Sequence, residues 1–335
     1  MDFRLAGMAV TIKDVARAAG VSASTVTRAL SNPEMVNAAT RDRVRQTAAA
    51  LGYHPNRAAQ GLITGRTGNL GLLVPDLANP FFPSIVKGVQ ARAHEADYAV
   101  FLVDTDEDAT AEAGLVSKLS KQVDGLILCS PRMAEEELRT ILAETPVVLI
   151  NRRVGRVPSV TPAFTDAMRQ AVSHLTALGH RRIAYVAGPR SSWANRERVR
   201  SLRAVAGQGN VDLVEIGNVI PQFPGGVAAA DQVLAADVTA VIAYNDLVAL
   251  GLLHRFAARG VAVPTDISLL GFDDIALAEM VHPSLTTVAL PKEQAGRAGV
   301  DLLLQLLEQP DRAGAVRREL PTQLMVRGST GPARP

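Results

Sequence analysis

The chain has 335 residues, enough for a small module plus a domain of two lobes. Apolar residues make up 47% and aromatics only 4%, which favours Ala/Val/Leu-rich α/β packing and excludes an aromatic β-sandwich. The formal net charge is +2, so the chain is no polycation; yet residues 1–66 hold nine Lys and Arg against four Asp and Glu, a basic head of +5 that suits a polyanionic partner.

Residues 1–10, MDFRLAGMAV, lack the apolar core of a secretory signal and read as a loose arm. Thr11 and Asp14 fit a capping box, and Ile12, Val15, Ala16 and Ala19 then fall on one helical face. Gly20 supplies a turn and Ser22 an N-cap for a second helix that buries Val26, Ala29 and Leu30. The other side of this helix shows Ala23, Ser24, Thr27 and Arg28. Asn37 caps a third helix with Thr40, Val44, Thr47, Ala48 and Leu51 on one side, ended by Gly52. Two short helices around a Gly-bearing turn, braced by a third, describe a helix-turn-helix. Small residues at the start of the second helix allow it into a major groove. On pattern alone, an ordinary three-helix bundle is the alternative.

The stretches TIKDVARAAGVSASTVTRAL and TRDRVRQTAAALGYHPNRAAQGL resemble the start of LacI/GalR-family transcriptional regulators, departing mainly by Thr27 where that family has Ser. The resemblance implies a DNA-binding domain over 11–55. Its candidate DNA-binding residues are Thr11, Ser22, Ala23, Ser24, Thr25, Arg28, Asn37, Asn56, Arg57, Ala59 and Leu62. It also implies a hinge helix and linker over 56–68, in which Leu62, with Ala59 beside it, wedges into a minor-groove step. Without the resemblance, Asn56–Leu62 reads as a linker with one exposed leucine, too short to be helical alone.

From Asn69 onward, apolar β-rich runs alternate with amphipathic helices. Strands are expected at Leu70–Val74, Ala99–Asp104, Gly125–Leu128, Val147–Ile150, Ile183–Ala187, Asp212–Ile216, Ala240–Ala243 and Ile267–Gly271. Helices are expected at Ile85–Ala96, Glu112–Lys121, Ala167–Leu178 and Val248–Arg259. Repeated β-α-β units imply parallel sheets covered on both faces, here two sets of about four strands in Rossmann-like lobes. The resemblance implies a two-lobed periplasmic-binding-protein-like (type I) effector-binding and dimerisation domain over 69–330, whose chain crosses between lobes three times. Lobe one would hold about 69–163 with 292–320, and lobe two 164–291 with 321–330, leaving 331–335 as a tail. At Thr161–Asp166 the chain lacks the D-N-x-x-G run of many members, which affects the local crossing contacts.

Ligands of open α/β sheets bind beyond the C-terminal strand ends. Polar residues there include Asp76, Asn79, Asn151, Arg152, Asn245, Asp246, Asp273 and Asp274, with Phe81 and Phe82 after the first strand. Asp246 and Asp274 read better as helix caps than as ligand contacts. Phe81 and Phe82 either staple a helix start or line the cleft. Position by position, Phe82, Arg152, Ser192, Arg198, Asn245 and Asp273 match the effector-contact positions of the resembled family. These residue types point to a small polar effector: a sugar, sugar phosphate, nucleoside or purine. An Arg152–Arg153 pair facing the cleft would favour an anionic group.

The chain carries no P-loop, zincin or nucleophile-elbow motif, and its six His have no metal-ligand spacing. No enzyme activity, cofactor or metal is expected. Cys129 sits in the apolar run DGLILCS and reads as a packed thiol. The whole reads as a cytoplasmic, nucleoid-associated homodimeric repressor of palindromic operator DNA, governed by a small-molecule effector, with no membrane partner. The alternative is a soluble sugar-binding receptor without DNA function, against which the basic head and the missing signal peptide weigh.

Overall fold

The computed structural model describes residues 10–31, 33–53, 66–309 and 316–334. The chain divides into two compact units between Thr67 and Gly68. Asn56, Arg57, Ala59 and Leu62, and the hinge expected around them, lie outside the described residues.

The first unit holds α1 (Ile12–Ala19), α2 (Ala23–Ser31), a 3₁₀ turn (Pro33–Met35) and α3 (Ala38–Leu51). Gly20 ends α1 at φ +65°, a left-handed conformation in which a side chain would be strained. Val15, Ala16 and Ala19 of α1 meet Val26 and Ala29 of α2 and Val44 and Ala48 of α3 in one small core. The stripe expected on α3 departs at its end, where Leu51 is 39% exposed. Tyr53, just past the helix, packs on the core instead. The left-handed turn at Gly52 sends the chain back across the bundle and so covers that spot.

The second unit is built on two six-stranded sheets. β1 (Asn69–Val74), β2 (Ala99–Asp104), β3 (Gly125–Cys129), β4 (Val147–Ile150), β5 (Ser159–Pro162) and β11 (Arg317–Leu320) form the first. Its order is β11-β5-β4-β3-β1-β2 and every pairing is parallel. β6 (Arg182–Val186), β7 (Asp212–Ile216), β8 (Ala240–Ala243), β9 (Ser268–Asp273), β10 (Thr286–Ala289) and β12 (Gln323–Met325) form the second, in the order β12-β10-β9-β8-β6-β7. Here β12 runs antiparallel to β10 and the other pairings are parallel. Among the described strands the chain passes between sheets three times: after β5, after β10 and after β11.

The sheets are wider than the sequence patterning indicates, six strands each rather than about four. The added strands, β5, β10, β11 and β12, are only three or four residues long and rich in Ser, Thr, Arg and Gln. Their backbone is held by ladders to distant segments, such as Arg317 opposite Ser159, rather than by an apolar run. Central strands such as β3 and β8 are buried throughout, as expected where helices cover both faces.

Close helix packing closes the first lobe. Gly88 on Phe81–Glu95 faces Lys292–Glu308, and a Cβ there would collide with the Glu293 carbonyl. Gly296 meets the Ile85 carbonyl in the same way from the other helix. Burial raises the Cys129 thiol to about 12, consistent with a packed rather than a nucleophilic sulfur. Among the described residues, no helix is long and apolar enough to cross a membrane.

Candidate DNA-reading and effector-binding site

In the first unit, side chains near the helix starts satisfy backbone donors that a helix cannot satisfy itself. Asp14 accepts hydrogen bonds from the Thr11 N–H (3.0 Å) and hydroxyl (2.7 Å). These bonds, the hydroxyl first, hold the Asp14 carboxyl below its ordinary range. Ser22 Oγ accepts from the Thr25 N–H at 3.1 Å and lies 2.8 Å from the hydroxyls of both Ser24 and Thr25. The start of α2 therefore presents a cluster of short hydroxyls. Ser22, Ser24 and Arg28 are exposed, Thr25 and Ala23 half-buried. Ala23 also packs on the core of the bundle. Asn37 caps α3 by accepting from the Ala39 N–H at 2.9 Å.

In the second unit, all six candidate effector residues are buried, none more than 4% exposed. Ser192 and Arg198 contact Tyr244, the first residue after β8; Asn245 follows it in the chain and Asp273 joins through Arg198. Ser192 caps the helix Trp193–Gln208 and lies 3.1 Å from the Tyr244 hydroxyl. Arg198, on the inner face of that helix, donates to the Tyr244 carbonyl. Its Nη2 stands 3.6 Å from Asp273 Oδ1. Its guanidinium lies 3.8 Å from the centre of the Phe272 ring, 4.9 Å from Tyr244 and 5.5 Å from Phe164. Asn245 follows Tyr244 and caps the helix Asp246–Ala258 by accepting from the Val248 N–H, while its Nδ2 donates to the Pro221 carbonyl.

Arg152 and Phe82 are supplied by the first lobe. Arg152 Nη1 donates to the carbonyls of Pro131 and Met133, each at 2.8 Å. Burial, then the nearby Arg196, disfavours its charged form. Arg153 turns to Thr161 and Glu319 instead, so the two arginines do not act as a pair. Phe82 packs edge-on against Phe81 in the core that also contains Phe164 and Phe272. The ring is buried in the first turn of the helix Phe81–Glu95. Asp76, after β1, accepts a hydrogen bond from Gln222 Nε2 at 3.0 Å and so links the two lobes.

Asp273 concentrates several unusual features. Its φ is +113°, a conformation that costs a non-glycine residue about 1–3 kcal/mol. Burial raises its carboxyl to about 6, against the pull of Arg198 and Lys292. Lys292 Nζ donates to the carbonyls of Asp273 and Asp274.

Two expected caps are corrected. Asp246 follows the cap residue Asn245 rather than capping, and its carboxyl group bridges elements: it accepts from Thr287 Oγ1 at 2.6 Å and from the Ile275 N–H at 2.9 Å. Asp274 pairs with Arg327 at 2.8 Å and caps no helix. Tyr244, Phe164, Phe272, Gln222 and Lys292 were missed as candidates. Tyr244 and Phe272 directly precede two predicted residues at strand ends, which was the signal available. Among the described residues, buried polar atoms without a hydrogen-bond partner include Arg152 Nε, Arg198 Nε, Asn151 Oδ1 and Asp273 Oδ1. Such atoms are rare in native interiors; Arg198 Nε and Asp273 Oδ1 belong to one ion pair in the second lobe, and Asn151 Oδ1 and Arg152 Nε directly follow β4 in the first.

The pattern of bacterial regulatory proteins of the lacI family matches residues 11–56, and that of a periplasmic binding protein-like domain matches residues 172–330. The chain is 32% identical to catabolite control protein A of Priestia megaterium, over 96% of this chain and 100% of that protein. Its fold superposes on the Lac repressor dimer bound to operator and the anti-inducer ONPF with a TM-score of 0.86, at 30% identity, covering 97% and 100% of the two chains. The transcriptional regulator CelR in complex with cellobiose is similar with a TM-score of 0.71, at 32% identity, covering 96% and 99%.

Proposed function

The chain belongs to the LacI family of bacterial regulatory proteins, a DNA-binding transcriptional regulator, and we propose that it acts as a homodimeric repressor whose operator affinity is set by a small polar effector held between the two sheets. The start of α2, with Ser22, Ala23, Ser24, Thr25 and Arg28, faces the major groove, and the capped ends Thr11 and Asn37 approach phosphates. One head covers too little DNA for tight binding, so two heads on a palindromic site are expected. On this reading it works in the cytoplasm, associated with the nucleoid, as a binding protein rather than an enzyme.

The observation that carries the effector reading is the buried ion pair Arg198 and Asp273, each with a polar atom lacking a hydrogen-bond partner. Arg198 Nε donates to, and Asp273 Oδ1 accepts from, neighbouring groups of the effector. Ser192, Asn245 and Arg152 complete its polar ring, and Phe82 with Phe272 provides apolar faces. A sugar or nucleoside fits these groups, in keeping with the cellobiose bound by CelR. Cleft occupancy would then shift lobe closure, and with it the DNA-binding state.

Genome-wide mapping of bound sites tests the DNA reading: palindromic sites upstream of genes are expected, and an absence of enrichment would reject it. Thermal-shift screening with sugars, sugar phosphates and nucleosides tests the cleft. A hit that binds Arg198→Lys and Asp273→Asn as well as wild type would move the effector elsewhere.

A further inference from the structure

The helix Trp193–Gln208 has two chemically different faces. Asn195, Arg198, Leu202 and Val205 turn inward and are buried. Arg196, Val199, Arg200 and Arg203 fall at i, i+3, i+4 and i+7 and form the outer stripe. This stripe, with Arg190 and the ends of β6 and β7, encloses a groove of about 630 Å³. Its apolar wall is Ala187, Val199 and Ile216. The groove lies just beyond two C-terminal strand ends, the place where open α/β sheets bind ligands.

The groove carries charge in excess of its structural needs. Arg200 pairs with Glu197, and Arg203 makes a bidentate pair with Glu215. The bonds of Arg190 and Arg196 go to neutral groups: Arg190 Nε to Asn218 Oδ1 at 2.9 Å, and Arg196 Nη1 to the carbonyls of Arg190 and Ser191. These bonds hold both guanidinium groups in place without neutralising them. Their planar forks match phosphate oxygens, and the volume lies in the small-ligand range of about 300–1,000 Å³.

We propose that this groove binds a small organic phosphate, with Arg190 and Arg196 on the phosphate and Val199 and Ile216 against the apolar part of the molecule. The site is separate from the cleft of Arg198 and Asp273, which occupies the opposite face of the same helix, so both can be filled at once. Occupancy of the groove would also offset the charge that Arg196 places near Arg152 and so influence the cleft.

The full-length protein is titrated calorimetrically with inorganic pyrophosphate and with ATP at low salt. Saturable binding is expected, falling as salt rises. The Arg190→Ala, Arg196→Ala double variant should bind at least about tenfold more weakly, as expected for lost charge-assisted hydrogen bonds. Arg28→Ala, in the basic head, should bind as wild type does. In the wild-type protein, pyrophosphate should protect Arg190 and Arg196 from phenylglyoxal, as mapped by mass spectrometry. Unchanged affinity in the double variant, an equal loss in Arg28→Ala, or no saturable binding of either probe would overturn the proposal. Polyglutamate that displaces pyrophosphate, and itself binds the wild type more tightly than pyrophosphate does, would reassign the groove to an acidic polypeptide and overturn it too.

Discussion

Arg198 and Asp273 face each other inside the second unit at 3.6 Å, an ion pair whose members come from a helix and a strand end 75 positions apart. The distance is too long for a hydrogen bond, and the aromatic faces of Phe272 and Tyr244 hold the guanidinium where it stands. Removing the carboxylate would leave Arg198 buried and uncompensated. Asp273→Ala should therefore lower stability by about 3–5 kcal/mol, the usual cost of breaking a buried pair, and the melting temperature with it. Calorimetric melting checks this; an unchanged melting temperature would show that the Phe272 and Tyr244 faces alone hold the charge.

The buried carboxyl of Asp246 links stability to pH. Burial, then the neighbouring Asp273 carboxylate, pushes it up to about 8, well above its ordinary 3.8. The folded state thus keeps a proton that the unfolded chain has released, so stability should fall from about pH 4 to about pH 8 and level off above. Asp273, raised to about 6, adds to the fall at its lower end. Asp246→Asn imitates the neutral acid: its oxygen accepts from Ile275 N–H while its amide donates to Thr287 Oγ1. Thermal melts from pH 5 to pH 9 should show a flatter profile for this variant, most clearly above pH 6. Parallel profiles would place the titration in another group.

Arg28 projects from the exposed side of α2. If it reads a base, Arg28→Ala should cost about 1–3 kcal/mol of specific affinity and relax the preference at one position of the site. If it touches only phosphate, all sequences should weaken alike and the salt slope should drop by about one. Fluorescence anisotropy with matched and single-mismatch duplexes at several salt concentrations separates the two. No change at any salt concentration would remove Arg28 from the interface.

Gly88→Ala should destabilise the first lobe by about 1–3 kcal/mol or more, because the added methyl meets the backbone carbonyl of Glu293 rather than a side chain that can move. Gly114→Ala is the control: on a helix with open space around it, the same change should be neutral or slightly stabilising. Urea denaturation of both variants checks the contrast.

The head was legible because its determinants are local. A cap and its helix lie within three residues, as with Thr11 and Asp14, Ser22 and Thr25, or Asn37 and Ala39. The apolar stripe of α1 likewise repeats at the helical period, so the sequence carries the helix boundaries directly. The buried strands β1, β3, β4 and β8 were legible for a similar reason: a strand covered on both faces must be apolar almost throughout. Most effector candidates came from resemblance and strand-end position; Ser192 and Arg198 do meet at one aromatic, Tyr244, and Arg198 brings Asp273 with it.

The tertiary structure alone decided the rest, because those features depend on pairs far apart in the chain. β5 and β11 become strands through each other, with Arg317 opposite Ser159, although neither has an apolar pattern of its own. Asp246 looked like a cap because local rules see only its helix; its partner Thr287, 41 residues away, makes it a buried bridge. Arg198 was singled out by resemblance alone; the run NRERVR holds several charges, and a helical period does not say which face is inward. Packing of that helix against Phe164, Tyr244 and Phe272 chose the face, burying Arg198 and leaving Arg196 and Arg200 exposed. The physical reason is common to all three: capping and periodicity act over a single turn, whereas burial and charge compensation depend on whatever segment the fold brings alongside.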